Sequence, residues 1–215
     1  MNRAAAARRL EQVQQPVIPV MGELIRQTPG TLSLGQGMVS WGPPAQVHQA
    51  VAAALQQRDP GLDRYGPVAG SEALRDALEL WLQREQGLDL RESALVITAG
   101  SNMAFNAVVQ VLCDPGDELI LPAPYYFNHE MAIRLGGGIP IAVETGVVPD
   151  PERLAAAITP RTRAIVTISP NNPSGAVFPR DVLAAINHLC AERGLLHISD
   201  EAYALFSYGG ESVWS

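Results

Sequence analysis

None of the 215 residues is a lysine; all fifteen basic side chains are arginine. Chemistry that needs a lysine amine as a nucleophile or Schiff-base partner therefore has no side chain to use here. Cysteine is scarce too, with only Cys113 and Cys190. Both fall in apolar helical patterns and read as buried thiols of a reducing compartment, not as a disulfide or a metal site. Asp and Glu number 22 against those 15 arginines, a net charge of −7, which excludes the clustered positive surface that nucleic acids require. No apolar run is long enough to cross a bilayer as a helix. The expectation is a cytoplasmic globular protein with no nucleic-acid or membrane partner.

What is present is enough apolar material, 47% of the chain, to bury one substantial core. The Arg- and Ala-rich start through Arg8-Arg9 has some transit-peptide character, but reads better as a frayed amphipathic helix. Pro43-Pro44 open a helix running to about Gln56. Ser71 caps a second one, with Leu74, Leu78, Trp81 and Leu82 on one face and Gly87 at its end. From there short β-branched runs at Ala94–Thr98, Glu118–Leu121, Ile139–Val143, Ala164–Ile168 and Leu195–Ile198 predict strands. Helical patterns separate them at about Asn102–Leu112, His129–Leu135, Pro151–Ile158 and Pro179–Arg193. That alternation predicts an α/β fold: a mostly parallel sheet flanked by helices on both faces.

In such sheets ligands sit beyond the carboxyl ends of the strands, which singles out four segments. Thr98-Ala99-Gly100-Ser101-Asn102-Met103 is a small turn leading into a helix, where free amides and the helix dipole favour an anion such as phosphate. Small polar residues also cap helices that bind nothing. Pro122-Ala123-Pro124-Tyr125-Tyr126-Phe127-Asn128-His129 places three aromatics beside a histidine, fit either to stack on a planar ring or to fill the core. In Ser169-Pro170-Asn171-Asn172-Pro173-Ser174-Gly175 two prolines stiffen the backbone around two amides, making Asn172 a candidate hydrogen-bonding group; the alternative is a plain Asn-Pro turn. Ser199-Asp200-Glu201-Ala202-Tyr203 sets a carboxylate after a buried strand, where it must find a cation or several donors, or else cap a helix.

Asn172-Pro173-Ser174-Gly175 followed by Asp200-Glu201-Ala202-Tyr203 resembles the class I/II aminotransferases, fold type I of the pyridoxal-phosphate-dependent enzymes. Leu34-Gly35-Gln36-Gly37 with Pro43-Pro44, then Tyr65-Gly66-Pro67, Gly70 and Leu74-Arg75, fit the same family in the same order. The likeness runs from about Pro16 to Ser215. It implies pyridoxal 5′-phosphate as cofactor and amino-group transfer from an amino acid to a 2-oxo acid. Asp200 would pair with the protonated pyridine nitrogen, with His129 behind it. Asn172 and Tyr203 would bond the ring's phenolic oxygen, and Tyr126 would stack on the ring. Gly100, Ser101 and Asn102 would hold the phosphate. Tyr65 would reach the phosphate of a neighbouring subunit, implying a homodimer, and Gly37 would line the substrate carboxylate site.

The resemblance also divides the chain into an N-terminal arm with a segment of a small domain, 1–48, and an incomplete large cofactor-binding domain, 49–215. The family's Schiff-base lysine lies downstream of the Asp-x-Ala-Tyr motif and has no counterpart here, so no catalytic residue is assigned and the chain alone is expected to be inactive. It is read as an N-terminal portion, with an unpaired strand edge that favours aggregation or a partner. Two alternatives share these motifs: a pyridoxal-phosphate β-lyase, and a non-catalytic or split cofactor-binding module.

Overall fold

The computed structural model describes residues 7–35, 37, 39–57, 61–208 and 213–214. By packing they fall into two units, one of Gln14–Leu74 and one of Met1–Val13 with Arg75–Ser215. Among the described residues no helix is long and apolar enough to cross a membrane.

The smaller unit holds α1 (Val17–Gln27) and α2 (Ala45–Gln56). Pro44 is the N-cap residue of α2 and its carbonyl accepts from Val47 N–H at 3.0 Å. The two prolines thus lie just before the first helical turn, where a missing N–H costs nothing. The next helix, α3 (Glu72–Gln86), begins where Ser71 Oγ accepts from Leu74 N–H at 3.3 Å, and it ends before Gly87 at φ +67°. Its apolar stripe is present in sequence, yet no residue of α3 is buried.

In the larger unit four strands form one parallel sheet in the order β2-β1-β3-β4. They are β1 (Glu118–Ala123), β2 (Ile139–Glu144), β3 (Thr162–Ile168) and β4 (Leu196–Asp200). The helices between and before them are α4 (Ser101–Leu112), α5 (Phe127–Gly136), α6 (Pro151–Ala156) and α7 (Arg180–Arg193). Alternation along each strand sends side chains to opposite faces. Leu119, Leu121, Ala164 and Val166 pack with Phe105, Val109, Ala132 and Ile133 of α4 and α5. Ile120 and Ile165 pack on the other face with Leu154 of α6 and Ile186 and Cys190 of α7. Covering both faces explains why the central strands read as continuous apolar runs. Cys190 is buried and Cys113, just after α4, is half-buried; neither forms a disulfide.

The predicted strand at Ala94–Thr98 is absent: those residues carry no ladder, and Val96 is 62% exposed. A β-branched run becomes a strand only with a neighbour to pair with, and among the described residues none lies beside it. The four remaining strands, and the helices between them, stand within a few residues of their expected bounds.

Two contacts fix the frame that carries the carboxyl edge. At the amino end of β1 the buried Glu118 accepts from Thr159 Oγ1 and from Arg161. On the other side Gly136, at the end of α5, lies against Val109 of α4 so closely that a Cβ there would stand 2.6 Å from Val109 Cγ1. After β1 the chain moves outward to β2, and it then returns across the sheet to β3, so β1 and β3 flank the point where the winding reverses. That is where an open α/β sheet leaves a crevice.

Candidate functional site

Asp200 is the last residue of β4 and lies in register with Ile168 at the end of β3. Its side chain points to the face covered by α5 and meets His129, with Oδ2 and Nε2 3.0 Å apart. The histidine is 2% exposed and the carboxylate 14%. Asp200 Oδ1 accepts from the backbone N–H of Ala202 at 3.0 Å. Burial pushes the Asp200 carboxyl up, but the His129 hydrogen bond, the Ala202 amide and the charge of the imidazole outweigh it, so it is held below the usual Asp range. An ionised carboxylate only accepts, so His129 Nε2–H is the donor. His129 Nδ1 is buried without a hydrogen-bond partner among the described residues, and its ring lies 4.0 Å from that of Phe105. Each carboxylate oxygen of Asp200 has a second lone pair, which can take one more donor.

A second group sits where α4 and α5 begin. Gly100, at φ +84°, is the N-cap residue of α4, with open space where a Cβ would be. It turns the chain so that Ser101 and Asn102 open the helix, where N–H groups have no intrahelical acceptor. Asn102 Oδ1 accepts from Asn128 Nδ2 at 3.3 Å, and the same Nδ2 donates to Tyr126 Oη at 2.6 Å. The Tyr126 ring then meets His129 edge-on, with centroids 5.6 Å apart. Contacts therefore run unbroken from the start of α4, through Asn128, Tyr126 and His129, to Asp200.

The turn after β3 joins the same edge. Asn171, 6% exposed, donates from Nδ2 to the Pro124 carbonyl at 3.3 Å, while its Oδ1 accepts from Ser174 N–H and Oγ–H at 3.0 and 2.7 Å. The peptide bonds before Pro170 and Pro173 are cis. Asn172, half-buried, follows this anchored residue directly, and its side-chain amide makes no hydrogen bond to the described protein. Tyr203, 43% exposed, lies in the turn after Asp200, with its ring 6.2 Å from Phe206.

The larger unit thus brings together Asn102, Tyr126, His129 and Asp200 by direct contact, with Gly100 and Ser101 on the same helix start and Asn172 and Tyr203 on adjoining turns. Tyr65 and Gly37 belong to the smaller unit; Tyr65 is fully exposed, and Gln36 of the Leu34–Gly37 motif lies outside the described residues. Sequence reasoning passed over Asn128 and Asn171, which hold the segments together. The only hint was an amide sitting among residues picked for other reasons.

The groups present suit a flat, cationic heterocycle that carries an anion. The ionised, part-buried Asp200 carboxylate has His129 as its one basic partner among the described residues, and a helix start after a glycine turn is linked to it through Asn128 and Tyr126. Burial leaves such a carboxylate needing further donors, and a helix N-terminus attracts phosphate.

Comparison with known proteins gives a consistent picture. Residues 30–215 match the family model described as aminotransferase class I and II. The chain is 41% identical over 193 residues to an aspartate/prephenate aminotransferase of Thermus thermophilus, a match covering 88% of this chain and 49% of that one. An aspartate aminotransferase of Geobacillus stearothermophilus is 35% identical over 83% of this chain and 46% of its own length. Among solved structures, the aspartate aminotransferase of Thermus thermophilus with maleate superimposes with a TM-score of 0.88 at 37% identity, covering 99% of this chain and 57% of that one. The chain spans about half the length of the curated relatives it matches.

Proposed function

This chain belongs to the aminotransferase class I and II family, and we propose that it builds the pyridoxal-phosphate pocket of an enzyme that moves an amino group from an amino acid to a 2-oxo acid. The observation that carries the reading is the Asp200–His129 pair, a carboxylate kept ionised at the carboxyl end of β4. When bound, pyridoxal phosphate supplies the electron-accepting ring on which amino groups are exchanged.

The roles of this chain's own residues follow from their chemistry. Asp200 holds a proton on the ring nitrogen by offering a fixed negative charge. His129 donates to Oδ2 and so keeps that carboxylate oriented and ionised, without itself touching the ring. The amides of Ser101 and Asn102, opened by the Gly100 turn, bind the phosphate. Tyr126 covers one ring face, and Asn172 and Tyr203 bond the phenolic oxygen. With no lysine among these residues, covalent attachment is not one of their tasks. We further assign Tyr65 to the phosphate of a neighbouring subunit in a homodimer, and Gly37 to the substrate carboxylate. The two free cysteines suit a reducing cytoplasm.

Fluorescence titration of the purified chain with pyridoxal phosphate tests the reading. Asp200→Ala weakens binding on the order of tenfold or more, as expected when a charge-assisted contact is lost, whereas Glu201→Ala leaves it nearly unchanged. Equal effects of the two substitutions would assign the wrong carboxylate.

A further inference from the structure

We propose that Asn128 is a positioning residue that locks the phosphate-binding turn of α4 to the Tyr126 ring, so that the two ends of the pocket are held as one unit. The inference rests on the pocket assignment above and adds to it a residue that does not bind the cofactor and to which the sequence, though it singles out the Pro122–His129 segment, assigns no role.

Asn128 is the second residue of α5 and Asn102 the second residue of α4, and the two helices pack side by side through Phe105, Val109, Ala132 and Ile133. One Nδ2 carries two hydrogens. One goes to Asn102 Oδ1 at 3.3 Å, across 26 residues of sequence, and the other to Tyr126 Oη at 2.6 Å. The shared donor has consequences on both sides. With its oxygen engaged, the Asn102 amide is fixed in one orientation and its own NH2 is left for another acceptor. With its oxygen accepting from Asn128, the Tyr126 hydroxyl is anchored at one end, while its ring edge rests on His129.

The anchored tyrosine is thereby coupled to both the anion end and the carboxylate end. A planar ring cannot stack productively on a tyrosine free to rotate, and a helix start that is free to shift holds an anion less well. Removing the shared donor should therefore loosen both ends, and the anion end more, because among the described residues Asn128 supplies the one side-chain hydrogen bond that reaches the start of α4 from another helix, the Thr98 hydroxyl tying Gly100 only within its own turn.

Asn128→Leu, similar in size but without donors, is compared with the unaltered chain by equilibrium dialysis against pyridoxal phosphate and against pyridoxal, which lacks the phosphate. Pyridoxal phosphate affinity falls on the order of tenfold, as for one or two net hydrogen bonds; pyridoxal affinity falls by less, and the thermal midpoint stays put. Tyr126→Phe removes one of the two bonds from the other side, and the combined variant loses less than the product of the single losses. Unchanged binding by Asn128→Leu, equal losses for the two ligands, or losses that track the thermal midpoint each overturn the proposal. If Asp200→Ala weakens binding while Asn128→Leu does not, this inference falls and the pocket assignment stands. Absence of binding to the unaltered chain removes both.

Discussion

Asn171 Nδ2 donates to the Pro124 carbonyl at 3.3 Å, joining the turn after β3 to the turn after β1 across the crevice. Its carbonyl oxygen holds Ser174 by two further bonds. Asn171 is buried, while its neighbour Asn172 makes no such bonds, so the two amides should separate cleanly by mutation. Asn171→Ala is expected to lower unfolding free energy by about 1–3 kcal/mol, the range for losing buried hydrogen bonds. Asn172→Ala should change stability by less than about 0.5 kcal/mol, while weakening pyridoxal phosphate binding. Urea unfolding of both variants checks the first part and dialysis the second.

At the opposite end of the sheet, Glu118 accepts from Thr159 and Arg161. The Thr159 hydroxyl pulls its pKa down most, burial pushes the other way, and the Arg161 bond and charge add to the lowering. A folded-state value below the ordinary 4.5 means the stabilisation is complete above that value. It is lost as pH falls through the lower, folded-state value. Glu118→Gln should be less stable at neutral pH, yet its stability should decline less between neutrality and the acid range. Parallel pH profiles for the two proteins in chemical denaturation would contradict this.

Gly136 is needed for packing, not for backbone freedom. A methyl group there would stand 2.6 Å from Val109 Cγ1, and Val109 is fully buried between α4 and the sheet. Gly136→Ala is predicted to cost about 1–3 kcal/mol, as overpacking does. Adding Val109→Ala makes room, so the double variant should lose less than the sum of the two single losses. Strict additivity in thermal or urea unfolding would show that the helices part freely at this point.

Much of this architecture was legible in the residues. Continuous apolar runs such as Leu119–Leu121 and Ala164–Ile168 read as strands covered on both faces, and starts such as Pro43-Pro44 and Ser71 marked the helices; Ser71 does accept from the N–H of Leu74. Ala94–Thr98 misled because local β-preference cannot report whether a neighbouring strand exists. Of the α3 stripe Leu78, Trp81 and Leu82 are half-buried and Leu74 is exposed, because burial depends on what packs against a helix. At the site, Asp200 stood out as a carboxylate after a buried strand, which needs a partner; that His129 is this partner was implied only by the family resemblance, and the two do meet. Asn171 and Asn128 did not stand out, because their significance lies in what they reach: Pro124 is 47 residues away and Asn102 is 26. Sequence spacing alone does not encode such contacts.

The central claim is that the Asp200 carboxylate keeps a proton on the ring nitrogen of bound pyridoxal phosphate. Nitrogen-15 NMR of the ring-labelled cofactor measures that proton directly. Bound to the unaltered chain, the nitrogen should resonate at its protonated position through mildly alkaline pH, and in Asp200→Asn it should shift to the unprotonated position. The same titration curve in both proteins would contradict the account.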